Sequence, residues 1–409
     1  MRVLMTTTGY AGHFVPLVPF ARACVRAGHE VRVAVPRSRA GIVESAGLQP
    51  HPCADPAPED LGRLVAALAE LSQRDGHAHM MREGFARVAA RAVLPDVLDI
   101  VDTWRPDVVV RESQEYTGAA AAERAGIPHV RVALGLAAQE EETLAHAAAA
   151  VDELRGELGL PADPDAGALR DSPLLTLVPS ALEDPDAASP RATHRFRAGA
   201  PRPAPPSSED PLVYLTFGSV TTPLRLFPRV YRAALDALAG VPAHVLVTVG
   251  DDADPAALDP LPPNVRVERW IPQEVVMRDA AAIVCHGGYG SVLGALAHGV
   301  PVVALPMFAD DQWRNARRVA ELGAGIVLGD DRAREGGMLD GPRPEALAAL
   351  PAAVEAALRD PGYRHAAGGL AGAIAALPPV DAAAGVLEAI ARAPGRHQAT
   401  AQSATPGTA

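Results

Sequence analysis

Between Trp270 and Asn315 the chain gathers residue types suited to three separate jobs of recognition. Trp270 and Gln273 offer a flat indole face followed by an amide. His286-Gly287-Gly288-Tyr289-Gly290-Ser291 offers backbone N–H groups, an imidazole and a hydroxyl, and Asp310-Asp311-Gln312 offers carboxylate and amide oxygens. A nucleobase needs a plate, a diphosphate needs donors and sugar hydroxyls need acceptors, so the three together suit a nucleotide diphosphate-sugar.

Placement strengthens each reading. The His286-Gly287-Gly288 turn follows the apolar run Ala282–Cys285, and Gly290–Ala297 continues as a helical pattern. Free N–H groups and the positive end of a helix dipole then meet at a strand end, where an anion is stabilised. A Gly-Gly turn alone can equally be a tight connection. Trp270 follows the strand pattern Val265–Glu268 and would by itself read as core; Gln273 shifts the balance toward a base with its ribose. His13 follows a Gly9-Tyr10-Ala11-Gly12 turn after the first strand pattern. A lone histidine is more often structural, but an imidazole at a strand end has a pKa suited to general base work.

Composition bounds the rest. A length of 409 residues suggests two domains. A formal charge of -12 argues against a polyanionic partner such as nucleic acid. All the basic residues are arginine, which excludes a Schiff-base or P-loop lysine. Cys24, Cys53 and Cys285 are widely separated, so a disulfide framework or a cysteine zinc site is not expected and a reducing cytoplasm is. Apolar runs are too short for a signal peptide or a membrane span, so no membrane partner is expected. No metal site is expected either, and Asp251-Asp252-Ala253-Asp254 reads as a solvated turn.

The elements positioning these residues alternate. Strand patterns at Val3–Thr7, Glu30–Val35, Asp107–Arg111 and Ile127–Leu134 interleave with helical patterns at Phe14–Ala27, Arg39–Ala46 and Tyr116–Ala125, and two long Ala-rich helical patterns run to about Trp104. A second alternation carries strands at Leu212–Phe217, Ala243–Val249, Val265–Glu268, Ala282–Cys285 and Val300–Leu305. Short apolar strands alternating with helices imply parallel sheets covered on both faces. Composition breaks between Pro185 and Pro211, which places the domain linker there. The expected organisation is an α/β chain with a Rossmann-like N-terminal domain (1–200), a Pro-rich linker (201–210) and a Rossmann-like donor domain (211–379). A C-terminal helix (380–394) that can cross back to the first domain and a disordered tail (395–409) follow.

The run W-x-P-Q, H-G-G-x-G-S, G-V-P and a D/Q cluster followed by N-A resembles the donor signature of family 1 nucleotide-sugar glycosyltransferases with the GT-B fold, two Rossmann-like domains facing a central cleft. Gly12-His13-Phe14-Val15-Pro16 is similar to the start of the same family, so the resemblance spans the chain; it is strongest to actinobacterial enzymes that glycosylate polyketides and other natural products. It implies that Trp270 stacks on the base and the Ile271 backbone pairs with its edge. His286, Gly287, Gly288, Gly290 and Ser291 hold the diphosphate, and Asp310, Asp311 and Gln312 contact the sugar, with Gln273 and Ser219 completing the donor set. It makes His13 the general base and places an acid just after a strand, where Glu112 stands and Glu115 is the fallback.

Two departures matter. Members that use UDP-sugars often carry a ribose-binding glutamate eight positions after the motif histidine, where this chain has Gly294, which favours a dTDP-sugar. The Asp310-Asp311 pair is one residue longer than the commoner form, leaving open which carboxylate meets the sugar. The acceptor is expected over the N-terminal domain, beside Phe14 and along the helices from about Leu61 to Trp104. There Met80, Met81 and Phe85 offer an adaptable apolar wall, although core placement is at least as common at such spacing. The expectation is an inverting, metal-independent glycosyltransferase needing no cofactor beyond its dTDP-sugar co-substrate and acting on a hydrophobic aglycone. A UDP-sugar enzyme or a nucleotide-sugar 2-epimerase of the same fold are the alternatives. Oligomeric state stays open, a homodimer included.

Overall fold

The computed structural model describes residues 1–187, 192–199, 210–218, 221–222, 224–330, 335–337 and 339–393. Its first sheet is built from β1 (Arg2–Thr6), β2 (Glu30–Pro36), β3 (Gln49–Cys53), β4 (Val108–Glu112), β5 (His129–Val132), β6 (Leu174–Thr176) and β7 (Thr193–Arg195), ordered β3-β2-β1-β4-β5-β6-β7. Its second is built from β8 (Leu212–Thr216), β9 (His244–Thr248), β10 (Val265–Glu268), β11 (Ala280–Cys285), β12 (Val302–Ala304) and β13 (Gly325–Val327), ordered β10-β9-β8-β11-β12-β13. Every strand pairing is parallel. In each sheet the order reverses between two adjacent strands, β1 and β4 in one and β8 and β11 in the other. Doubly wound sheets bind ligands beyond the carboxyl ends of such strands.

The central strands are near-continuous apolar runs because helices cover both faces; Val108, Val109 and Val110 of β4 are all fully buried. Four strands went unread in the sequence; one of them, Gly325–Val327, is only three residues long and begins on a glycine. The Gln-Pro-His-Pro-Cys segment of β3 carries Pro50 and Pro52, which lack N–H groups, and β3 tolerates them because it lies at the sheet edge. Leu174–Thr176 and Thr193–Arg195 are only three residues each. The second of these, with Phe196 buried behind it, corrects the placement of the whole Pro185–Pro211 segment as linker. The Pro-rich stretch itself lies outside the described residues apart from Asp210, as does the tail from 395. A helix at Ala137–Glu157 also escaped the pattern, because its buried positions include Gln139, Glu140, Thr143 and Arg155 and so show no clean apolar stripe.

The two halves interlock. Leu64 and Leu68, on the helix Pro58–Ala69, join the core of the second sheet with Leu215, Phe217 and Leu305. This corrects the expectation that the helices from Leu61 onward line an acceptor pocket throughout; the first of them packs against the donor half. Leu136, Val178 and Leu182 join Tyr214, Ile283 and Leu296 on the other face. After a turn at Val380–Ala382, the helix Ala383–Arg392 packs against Val18–Arg26, with Val380, Ala383 and Leu387 in the first core and Arg26 Nε donating to Asp381 Oδ1 at 2.8 Å.

Candidate active site

β1 and β4 carry the first pair of groups. Gly9 turns the chain after β1 at a φ of +80°, with Arg39 Cβ only 2.8 Å from where a Cβ would stand, so only glycine fits. The short helix Ala11–Phe14 then presents His13 beside the end of β4, where Glu112 is the last residue. His13 Nδ1 and Glu112 Oε1 are 3.0 Å apart, and the side chains are 16% and 0% exposed. The other carboxylate oxygen accepts the Gln114 N–H at 2.6 Å, while Oε1 also accepts the Thr8 N–H at 3.3 Å. With Nδ1–H donated to Glu112, the His13 lone pair is carried by Nε2, the arrangement a general base requires.

Glu115 does something else. It accepts the Thr117 N–H at 2.8 Å and the Gly118 N–H at 3.0 Å, and takes a hydrogen bond from the Thr6 hydroxyl, so it caps the helix Thr117–Ala125. Burial, relieved in part by the Thr6 bond, pushes its pKa up. Arg111, which sequence reasoning passed over, is 1% exposed, and its Nη1 donates to the carbonyls of Ser113 at 2.9 Å and Glu115 at 3.1 Å. It thereby fastens the turn that carries Glu112. A charged residue inside Val-Val-Val-Arg-Glu was the visible signal, since burying a guanidinium in a strand is costly unless hydrogen bonds offset it.

In the second sheet, β11 delivers His286 beside the end of β8. The imidazole is wedged between two glycines: a Cβ on Gly218 would stand 2.8 Å from His286 Cε1, and one on Gly288 2.3 Å from Nε2. Gly287 has a φ of +88°, and a Cβ there would meet the Gln312 carbonyl at 2.6 Å. Gly288 is the N-cap of the helix Tyr289–Ala297 and gives no side-chain cap, so the first N–H groups are left for a ligand; Gly290 beside them is exposed. Burial lowers the His286 pKa to about 4, so the ring is neutral at pH 7 and can offer a hydrogen bond but no charge. Ser291 is half-buried in the first turn of the same helix, and Ser219 lies outside the described residues.

Trp270 is 61% exposed, which excludes a core role and leaves its indole face available. Ile271 and Gln273 are half-buried, and Gln273 opens the helix Gln273–Met277. Gly294 faces that amide: a Cβ at 294 would be 3.1 Å from Gln273 Oε1. The Gln273 amide thus borders the space that a side chain at 294 would enter.

The helix Asp310–Glu321 begins with the acidic pair. Asp310 is 5% exposed and pairs with Arg314 Nε at 3.0 Å, and Arg314 also reaches Glu142 of the first half. Asp311 is half-buried; desolvation and then the adjacent Asp310 raise its pKa to about 6, while His13 lies near enough to oppose that rise. Gln312 Oε1 is occupied by the N–H groups of Met307 at 2.9 Å and Phe308 at 3.2 Å. Phe308 stacks on His286 with ring centres 5.8 Å apart, so the loop before the acidic pair is tied to the glycine turn.

Of the expected acceptor residues, Phe14 is 1% exposed and packs in the first core; an aromatic directly after His13 faces the sheet because the short helix must bury its other side, which corrects its placement in the pocket. Met81 and Phe85 are buried and Met80 is half-buried. Phe85 still reaches the site, its ring centre 4.9 Å from that of His13. All three lie in a π-helical segment, Met80–Ala89, a rare form that is frequent at functional sites. Among the described residues no three His, Cys, Asp or Glu side chains converge as a metal site, and no helix is long and apolar enough to cross a membrane. Asp254 Oδ1 caps a short turn through the Ala256 N–H at 3.1 Å.

Residues 22–157 match the N-terminal domain of the erythromycin biosynthesis protein CIII-like family, and residues 232–390 match its C-terminal domain. The chain is 34% identical over 346 residues to an L-demethylnoviosyl transferase of Streptomyces niveus, covering 81% of this chain and 86% of the relative. It is similar to the crystal structure of the glycosyltransferase SnogD from Streptomyces nogalater, with a TM-score of 0.71 at 29% identity over 96% of this chain and 99% of that one. Likeness to the glycosyltransferase VinC, solved in complex with dTDP, has a TM-score of 0.70 at 25% identity over 96% of this chain and 99% of that one.

Proposed function

The chain belongs to the erythromycin biosynthesis protein CIII-like family and is a GT-B glycosyltransferase, and we propose that it moves a deoxysugar from dTDP to a hydroxyl of a hydrophobic natural-product aglycone with inversion. The observation that carries the chemistry is the 3.0 Å contact between His13 and Glu112 at one switch point, with the His286 turn at the other. The base takes the acceptor proton as its oxygen attacks the anomeric carbon, and Glu112 stabilises the imidazolium that forms. The diphosphate leaves against the N–H groups of the Gly288 turn, the His286 donor and the Ser291 hydroxyl. No protein nucleophile stands in this scheme, so a single displacement inverts the centre.

Trp270 supplies the stacking face for the base, with the Ile271 backbone at its edge. Asp311 is our choice for the sugar hydroxyls, because Asp310 is engaged by Arg314 whereas Asp311 is near enough to His13 for their charges to interact. Gly294 offers no carboxylate to reward a ribose 2′-OH, which supports thymidine over uridine. Calorimetric titration with dTDP and UDP tests the donor: we expect dTDP to bind at least about tenfold more tightly, a difference of about 1.4 kcal/mol. A UDP preference would refute the argument from Gly294.

A further inference from the structure

Gln73 belongs by sequence to the first half but is spent entirely on the second. Its side chain is buried, its Nε2 donates to the Met307 carbonyl at 2.6 Å, and its Oε1 accepts from Trp313 Nε1 at 3.1 Å. Its own N–H donates to the Gly336 carbonyl at 3.0 Å. The loop from Met307 to Ala309 is therefore gripped on its carbonyl side by Gln73 and on its N–H side by Gln312. Trp313 lies on the first turns of the helix that opens with Asp310 and Asp311, so the same amide fixes both the loop and the rotation of that helix. We propose that Gln73 is a positioning residue for the sugar-reading end of the donor site, and that through it the acceptor half governs how the sugar is held.

The route is continuous. Gln73 begins the helix Gln73–His79, which runs directly into the π-helical Met80–Ala89 and then Ala90–Trp104. One end of this rod holds the Met307 loop, and about three turns farther along Phe85 touches His13. An amide donates and accepts from neighbouring atoms without carrying a charge, which is what the Met307 carbonyl and the Trp313 indole N–H together ask of residue 73. A glutamate would set a carboxylate oxygen against the Met307 carbonyl.

The inference rests on the reading of Asp311 as a sugar contact, and the test separates the two. Binding of dTDP and of dTDP-glucose is measured for wild type, Gln73→Met, Trp313→Phe and Asp311→Asn. Gln73→Met keeps the volume but loses both bonds, and we expect it to weaken dTDP-glucose about tenfold while leaving dTDP unchanged. Trp313→Phe loses only the indole donor and should do part of the same; the double variant should be no worse than Gln73→Met alone, since both cut one linkage. This second variant keeps the proposal testable where Gln73→Met fails to fold. Equal weakening of dTDP and dTDP-glucose, or no weakening of either, in the Gln73 and Trp313 variants overturns the proposal. If those variants are silent while Asp311→Asn selectively weakens dTDP-glucose, only the role of Gln73 falls. If Asp311→Asn is silent as well, the sugar-site reading falls with it.

Discussion

Glu112 and Glu115 are three positions apart, both buried, and bound to different fates. Glu112 faces His13, whereas Glu115 closes the N-terminus of the helix Thr117–Ala125, so their alanine variants should separate. Glu112→Ala is expected to reduce kcat by about 10²–10⁴-fold with thermal stability changed far less than in Glu115→Ala, whose loss of buried caps costs about 1–3 kcal/mol. Thermal unfolding and kcat on the same two proteins check this. Asp311 gives a pH signature. Its pKa is raised to about 6, so the folded state prefers the protonated form and the cost to stability appears as pH rises from about 4 to 6. Asp311→Asn should therefore be more stable than wild type at pH 7.5 by about 1–2 kcal/mol, allowing for partial solvent screening, and no more stable at pH 4. A gap in Tm that persists unchanged at pH 4 would refute that assignment. At this scale the site was legible where a residue type stood in a turn of special shape, as at His13 and His286. Arg111 and Gln73 were not read, because their value lies in partners far away or folded back upon the chain.

Elements explain why the turn residues cannot vary. Gly287 combines a φ of +88° with the Gln312 carbonyl 2.6 Å from its missing Cβ, so Gly287→Ala must displace the helix Asp310–Glu321 from the glycine turn. We expect a loss of about 2–3 kcal/mol in unfolding free energy and weakened dTDP binding, read by denaturant titration and calorimetry. Alternation exposed the central strands because burial on both faces leaves an unbroken apolar run. It missed β3, whose prolines are admissible only at an edge, and the helix Ala137–Glu157, whose buried face carries Glu140 and Arg155. Edge position and buried ion pairing are properties of the assembled sheet, so no local pattern reports them. The π-helical form of Met80–Ala89 was equally silent, since its apolar spacing suits an ordinary helix.

Across the whole molecule the halves exchange parts: Leu64 and Leu68 enter the second core, and the C-terminal helix packs on the first. His13 stands at the switch point of one sheet and the His286 turn at that of the other, so the proposed reaction draws on both halves. All three cysteines are buried with pKa values near 12, so none should react with a thiol reagent until the chain unfolds. In the proposed mechanism the first half supplies the base while the second holds the donor. Transfer by His13→Ala at saturating donor, with dTDP affinity measured on the same preparation, tests this most directly. We expect dTDP affinity to stay within about twofold of wild type while kcat falls by about 10²–10⁴-fold; a kcat within about threefold of wild type would rule out His13 as the base.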